Sequence, residues 1–185
     1  MKKVLFSVLM FSAMFMIASC GSKTNSGEAT EEEGAKVEFA DPAIVYGEGV
    51  DLTSYFSPVS VSQPTIYEDK SSGNYYHRLS VNVKLKVNKK PNLKGTHSMA
   101  EAYPTVWGPK VGFIVKFCDE GGSTIAEGND WKQPEAISEG STFSLDIKSD
   151  DKDILKEDAE SKLAKVKKIE VCISTANAEL VNDEE

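Results

Sequence analysis

Acid–base chemistry near neutral pH would rest first on the two histidines of this chain, because histidine is the side chain that titrates there. His77 alternates with Leu79 and Val81 in an apolar pattern, which predicts a strand-end position near the rim of a sheet. His97 lies among small polar residues and is predicted to be exposed in a loop. A Ser-His-Asp triad also needs an elbow that presents the nucleophile, and the sequence has no GxSxG-like elbow. We therefore predict no catalytic residue.

The carboxylates are the second group that could carry chemistry. The chain has 29 Asp and Glu residues, so a pair arranged for glycoside hydrolysis stays open as an alternative. The cluster Asp150-Asp151-x-Asp153 lacks the central glycine and the alternating ligands of an EF-hand loop. The sequence also has no CxxC, no HExxH and no phosphate-binding glycine loop. We predict no metal and no cofactor.

The first twenty residues form the most specific motif of the chain. Lys2 and Lys3 precede an apolar run at residues 4–18. A helix of this length spans about 22 Å, less than the hydrocarbon core of about 30 Å, so the run predicts a signal peptide at residues 1–19 rather than a transmembrane helix. Its end, Ile17-Ala18-Ser19-Cys20, resembles the lipobox of bacterial lipoproteins, although that family prefers Leu where Ile17 stands.

The lipobox resemblance implies that Cys20 is lipidated. In that family the cysteine thiol is diacylglycerylated, the chain is cut before it, and the new amino group is acylated. Two or more acyl chains hold a protein stably on a membrane. Gly21-Ser22 lacks the Asp that retains lipoproteins in the inner membrane of enteric bacteria, so we expect the outer membrane of the cell envelope, in either leaflet. A plain secretory signal peptide with a chance cysteine is the alternative.

The rest of the chain divides into three parts. Residues 20–35 are small, polar and acidic and predict a disordered tether, because they cannot bury enough apolar surface to fold. Residues 36–181 have the composition of a soluble globular domain, and residues 182–185 predict a frayed acidic tail. Without the signal peptide, the chain has 19 basic and 29 acidic residues, a net charge of -10. This balance argues against nucleic acid as a partner.

The alternation of apolar and polar residues predicts a mainly β domain. The longest pattern is at residues 75–88, where the odd positions are apolar and predicted to face inward. Further strands are predicted at residues 111–118, 123–126, 141–148 and 168–174. Weaker ones are predicted at residues 36–39, 43–46 and 59–67, and Pro58 and Pro64 favour an edge position for the last.

One helix is predicted near residues 150–166, capped by Ser149 or Asp150. Many short strands and one crossing helix predict an antiparallel β-sandwich. The strand order, with its Asp119-Glu120-Gly121-Gly122 turn, resembles small immunoglobulin-like domains of bacterial envelope lipoproteins. That resemblance covers about 100 residues and implies a non-catalytic module. The helix and the long segment 88–110 depart from it, and the Cys-Trp-Cys signature of antibody domains is absent.

Cys118 and Cys172 could form a disulfide bond. Alternation places both on the outer faces of their strands. An oxidising envelope permits a bond, which needs neighbouring strands and Cα atoms within about 7 Å. Whether the two thiols are bonded or separate is left open.

Residues 88–110 are the predicted partner-binding segment, since structureless connections longer than about 12–15 residues are often functional. Lys89, Lys90 and Lys94 form a basic patch, and Tyr103 and Trp107 could anchor a partner. The alternative is that the two aromatic residues cover the sandwich end. We expect a membrane-anchored, non-catalytic binding or structural module with an unknown protein or glycan partner. A glycan-active envelope hydrolase that uses loop carboxylates is the alternative function.

Overall fold

The computed structural model describes residues 37–39 and 49–182. The predicted signal peptide, Cys20, the tether and the predicted strand at residues 43–46 lie outside the described residues. So does the predicted acidic tail, apart from Asn182.

The described part of the chain is mainly β, as predicted. Its strands are β1 (Glu38–Phe39), β2 (Phe56–Val61), β3 (Thr65–Ser71), β4 (Asn74–Val87), β5 (Leu93–Gly95), β6 (Lys110–Cys118), β7 (Thr124–Lys132), β8 (Thr142–Lys148), β9 (Lys168–Ala176) and β10 (Ala178–Leu180). Its α-helices are α1 (Pro104–Trp107) and α2 (Lys156–Leu163), and 3-10 turns lie at Thr53–Tyr55 and Pro134–Ala136.

The first sheet is organised around β4, the longest strand. One side of β4 pairs with β2 near its end and with β3 near its start, and the other side pairs with β8, all antiparallel. The predicted alternation is confirmed, because Leu79, Val81, Val83, Leu85 and Val87 are buried. The predicted edge position of the proline-containing strand is also confirmed, although the chain forms two strands there, with Pro64 between them.

The second sheet has the order β1-β9-β6-β7. Its pairs are antiparallel except that β1 runs parallel to β9. β7 is longer than the predicted strand at residues 123–126, because Gly128-Asn129-Asp130 continues the strand instead of turning. Gly128 is required there, since a Cβ atom would lie 2.3 Å from the backbone oxygen of Lys148 at the end of β8.

The two sheets pack face to face around one apolar core. Phe56 of β2 and Phe143 of β8 meet Phe113 of β6, with ring centroids 5.5 and 5.4 Å from that of Phe113. Residues of both sheets belong to the same buried cluster. The described strands therefore form an antiparallel sandwich apart from the β1 pairing, while the immunoglobulin-like relationship stays a prediction.

The predicted helix at residues 150–166 is shorter, and its predicted cap is wrong. Helix α2 begins at Lys156 without a side-chain cap. Ser149 instead accepts a hydrogen bond from the Leu79 backbone at 3.0 Å, and the backbones of Asp153 and His77 pair with each other. The chain after β8 is thereby held as an extended segment along the start of β4. Ile154, which lies within the predicted helix but precedes α2, is exposed.

The segment 88–110 is ordered by two short elements, β5 and α1. β5 pairs with β10 in a small antiparallel sheet, so the chain after β9 holds the middle of this segment. Among the described residues, none of the helices combines the length and apolar character that crossing a bilayer requires.

Candidate functional site

The segment 88–110 crosses one end of the sandwich, from the first sheet to the second. It leaves the end of β4, where the backbone N–H of Asn88 donates to the Tyr55 carbonyl at 2.8 Å, and it enters β6 at Lys110. In between, the side chain of Gln133 donates to the Pro104 carbonyl at 3.3 Å. The predicted partner-binding segment is therefore held against the sandwich at both ends and near its centre.

The turn of helix α1 presents the aromatic side chains of this segment. Pro104 occupies the first turn, where its missing N–H costs nothing, and the Gly108 N–H donates to the Pro104 carbonyl at 3.0 Å. A Cβ atom on Gly108 would lie 2.2 Å from that carbonyl oxygen, so this close approach requires glycine. Tyr103 and Trp107 are 54% and 41% exposed. Both predicted anchor residues thus present much of their surface to solvent.

His97 orients Trp107. The two rings are stacked, with centroids 4.3 Å apart and planes 10° from parallel. The Nδ1 atom of His97 accepts a hydrogen bond from the Met99 backbone at 3.1 Å, which assigns the proton of the neutral ring to Nε2. The prediction of a solvent-exposed His97 is therefore wrong in part, because the ring is half-buried against the indole.

Trp131 is a further exposed aromatic residue, and the sequence prediction missed it. We call the exposed side chains of Tyr103, Trp107 and Trp131 the aromatic surface. Trp131 lies on β7 directly opposite Gly112 of β6, on the outer face of the second sheet. A Cβ atom on Gly112 would lie 2.7, 2.9 and 3.2 Å from three adjacent atoms of the six-membered ring of Trp131. Such similar distances place the face of the ring, not its edge, over Gly112. The available signal was Gly112 itself, because glycine inside a strand often marks a close approach.

A cleft of about 190 Å³ lies between helix α1 and Trp131. Its lining residues come from α1, the start of β6, the end of β7 and the turn after β9; they are Val106, Gly108, Lys110, Trp131, Ala176 and Asn177. We call this the Trp131 cleft. None of the described residues that line it is a carboxylate.

The predicted lysines do not share this cleft. Lys89 and Lys90 line a separate cleft of about 470 Å³ with Pro91, Asn92 and Glu139, and the Glu139 carboxylate accepts from the Lys90 backbone at 3.3 Å. Lys94 lies on β5 opposite Glu179.

Lys84 and Lys86 extend the basic surface along the outer face of the first sheet, whereas Trp131 lies on the outer face of the second. Lys84 and Lys86 therefore lie on the opposite side of the core from Trp131, and Lys89 and Lys90 line a different cleft.

Cys118 and Cys172 are free thiols. Their strands are neighbours, as a bond would require, but Cys118 pairs with Lys168 and Cys172 with Ile114. Four residues of offset along a strand correspond to about 13 Å, well beyond the roughly 7 Å that a disulfide permits. Both side chains share the outer faces of their strands with Lys116 and Glu170, as alternation predicted, although both are buried there. The disulfide that the sequence left open is absent.

Burial sets the acidity of the Cys172 thiol. Desolvation is the main cause that raises its pKa from 9.0 to about 11, and the nearby Glu170 carboxylate acts in the same direction. Above pH 9 the unfolded chain ionises this thiol while the folded chain keeps it neutral. The free energy of unfolding should therefore fall as the pH rises from 9 to 11, by about 1 to 2 kcal/mol.

Denaturant titrations at several pH values between 8 and 11 can check this prediction. Lysines also titrate in that range, so the informative comparison is with the Cys172→Ala variant. We expect a shallower pH dependence for the variant than for the wild type. If the free energy of unfolding depends on pH in the same way in both proteins, the pKa of Cys172 is not the cause.

The described residues also bear on the catalytic alternatives. His77 is buried, its Nδ1 atom has no hydrogen-bond partner among the described residues, and its Nε2 atom lies 3.6 Å from Glu68. In residues 37–39 and 49–182, no group of three or more His, Cys, Asp or Glu side chains could hold a metal ion. The described residues that line the Trp131 cleft and the cleft at Lys89 and Lys90 include one carboxylate, Glu139, so among them neither cleft offers the pair that glycoside hydrolysis needs.

Comparison with known proteins adds no family to this description. No protein-family model, curated protein or solved structure matches the chain. The fold and the site define a mainly β protein that carries an exposed aromatic surface at one end of a two-sheet sandwich.

Proposed function

We propose that this chain is a lipid-anchored protein of the cell envelope that acts as a non-catalytic binding module. Acyl chains on Cys20 would hold it on the outer membrane, as the lipobox residues Ile17-Ala18-Ser19-Cys20 imply. The tether of residues 20–35, about 50 Å when fully extended, would carry the folded part clear of the lipid headgroups. The partner, a protein or a glycan, would bind the aromatic end of the sandwich.

The observation that carries this proposal is the exposed aromatic surface. Tyr103, Val106, Trp107 and Trp131 are between 41% and 54% exposed, and Val106 and Trp131 line the same cleft. Tyrosine and tryptophan are enriched at binding hot spots because they supply large contact areas at little cost in side-chain entropy. Leaving such side chains in water is unfavourable, so their grouping at one end favours a partner surface.

The rigid presentation of this surface also supports a binding role. Trp107 is stacked on His97, Trp131 lies on Gly112, and the backbone at Pro104 is held by Gln133. Side chains that are already ordered lose little further entropy when a partner binds. A loop that served only to connect the sheets would not need these contacts.

The test is affinity capture from the native envelope with the full chain, followed by mass spectrometry. We expect the double variant Tyr103→Ala/Trp107→Ala to recover its partner at least about tenfold less than the wild type, because anchor residues of this kind contribute at least 1–2 kcal/mol each. Its melting temperature should stay close to that of the wild type, because both side chains are largely exposed.

Tyr75→Ala is the matched control. Tyr75 is 51% exposed but lies at the start of β4, at the opposite end of the sandwich. This variant should capture the partner as well as the wild type. Equal capture by the double variant would contradict the proposal, and so would a large fall in its melting temperature, which would make the two residues structural.

A further inference from the structure

The Trp131 cleft combines a flat apolar platform with two polar side chains, Lys110 and Asn177. One face of the Trp131 indole lies against Gly112, so the opposite face is directed away from the sheet, and the side chain is 42% exposed. The face of an indole carries partial negative charge and attracts the weakly positive C–H groups of a ring stacked on it. The platform therefore suits a ring whose face is lined by C–H groups.

Lys110 supplies a positive charge beside this platform. It precedes Gly112 by two residues on β6, so both are on the same face of the sheet and Lys110 is a diagonal neighbour of Trp131. No carboxylate of the described residues forms an ion pair with its ammonium group. Asp130, next to Trp131 in the chain, is already paired with Lys132 at 2.6 Å. The Lys110 charge is thus available to an anionic ligand.

Asn177 supplies a hydrogen-bonding side chain at the other side of the cleft. It occupies the turn between β9 and β10 in the left-handed conformation, with φ of 54°, and its backbone carbonyl accepts from Thr96 at 2.8 Å. These backbone constraints fix its position, while its exposed amide makes no hydrogen bond to the described residues. An amide can both donate to and accept from a ligand hydroxyl.

The size and openness of the cleft limit the ligand to one ring. Its volume of about 190 Å³ lies below the range of roughly 300–1,000 Å³ typical of sites for drug-sized ligands. Because the cleft is open, a bound ring keeps one side in water. A purely apolar ring would gain little there, whereas a pyranose can stack its C–H face on the indole and keep its hydroxyl groups hydrated.

We propose that the Trp131 cleft binds a sugar acid, with the pyranose ring on Trp131 and the carboxylate at Lys110. The inference rests on the proposed function and names the ligand class of its binding surface, a glycan that ends in or displays a uronic acid. Asn177 would bind a ring hydroxyl, and Val106 of α1 would close the side of the cleft. The net charge of the protein is negative, so affinity for an acidic sugar must come from this local arrangement.

The test uses the full chain in detergent and two matched probes, methyl glucuronide and methyl glucoside, in calorimetric or NMR titrations. We expect the glucuronide to bind about tenfold more tightly than the glucoside, because only the glucuronide offers a carboxylate for a charge-assisted hydrogen bond with Lys110. Lys110→Gln should abolish that preference while retaining weak binding of both sugars. Trp131→Ala should weaken both sugars about tenfold or more, because stacking on an aromatic ring is lost.

Gly112→Ala provides an independent test that leaves Trp131 and Lys110 in place. Its methyl group would occupy the position of the indole face, at 2.7 Å, so the ring must move and sugar binding should fall. Lys84→Gln is the matched charge control, because Lys84 is exposed on the outer face of the other sheet. This variant should bind both probes as the wild type does.

Two results would overturn the inference. If both probes bind equally to the wild type, Lys110 does not recognise a carboxylate. If neither probe binds while envelope capture still depends on Tyr103 and Trp107, the ligand class is wrong and the proposed binding function stands. Loss of the proposed function would be recognised differently, by capture that is independent of these two residues.

Discussion

Replacing Cys20 with serine is expected to abolish acylation of the protein. Serine has no thiol, so the diacylglyceryl group that the lipobox resemblance implies cannot be attached by a thioether bond, and the cleavage before residue 20 should fail. Without acyl chains, the variant should either keep its uncleaved signal peptide or be released from the membrane. Growth with a clickable fatty acid, followed by in-gel detection, should label the wild type and leave Cys20→Ser unlabelled.

Cys118→Ser and Cys172→Ser are the controls, because they remove the two other cysteines of the chain. Both cysteines are buried in the second sheet, so neither should accept an acyl chain, and both variants should keep the label. The mass of the wild-type N-terminal peptide should correspond to an acylated Cys20. Full labelling of Cys20→Ser would show that the anchor proposal is wrong.

Replacing Phe113 with alanine is expected to cause the largest loss of stability. Its side chain is fully buried on β6, and its ring contacts Phe56 of β2 and Phe143 of β8. It therefore joins the second sheet to two strands of the first. Removing a buried phenylalanine typically costs about 3–5 kcal/mol, through lost transfer energy and the cavity that remains. For a chain of this size the melting temperature should fall by about 10 °C.

Chemical denaturation with the Tyr75→Ala variant as a control measures this effect. Tyr75 is also aromatic and lies in a long strand, but it is half-exposed beyond the core. Its replacement should change the free energy of unfolding by about 0.5 kcal/mol or less. A similar loss of stability in both variants would mean that the contacts of Phe113 with Phe56 and Phe143 do not hold the two sheets together.

The strand patterns show how far sequence periodicity reaches. Residues 75–88 predict a strand with one buried face, and β4 has that strand at nearly those bounds. Alternation is reliable there because one face must leave water and the other must not. The pattern predicts too short a strand for β7, because Gly128-Asn129-Asp130 has the composition of a turn. Pairing with Phe113, Ile114 and Val115 of β6 keeps this stretch in the sheet, and a local pattern carries no information about that pairing.

The helix and the cysteines fail for related reasons. Serine is a common helix-capping residue, but the Ser149 hydroxyl accepts a hydrogen bond from the Leu79 backbone in β4. The helix begins only at Lys156. Alternation correctly groups Cys118 with Lys116 and Cys172 with Glu170. The register of β6 against β9 then places the two thiols four residues apart, which neither strand's own sequence can specify.

The amino-acid sequence alone establishes the acidic balance, the mainly β class, the resemblance of Ile17-Ala18-Ser19-Cys20 to a lipobox and the segment that contains Tyr103 and Trp107, but not whether those two side chains are exposed. These properties depend on composition and on short-range periodicity, which the chain carries residue by residue. The folded arrangement is what puts Lys89 and Lys90 in a different cleft from Trp131 and brings Trp131 next to Val106 and Lys110. The cleft exists because β6, β7, β9 and helix α1 meet at one end of the sandwich. Pairing between residues far apart in the chain brings those elements together, and no local pattern records it.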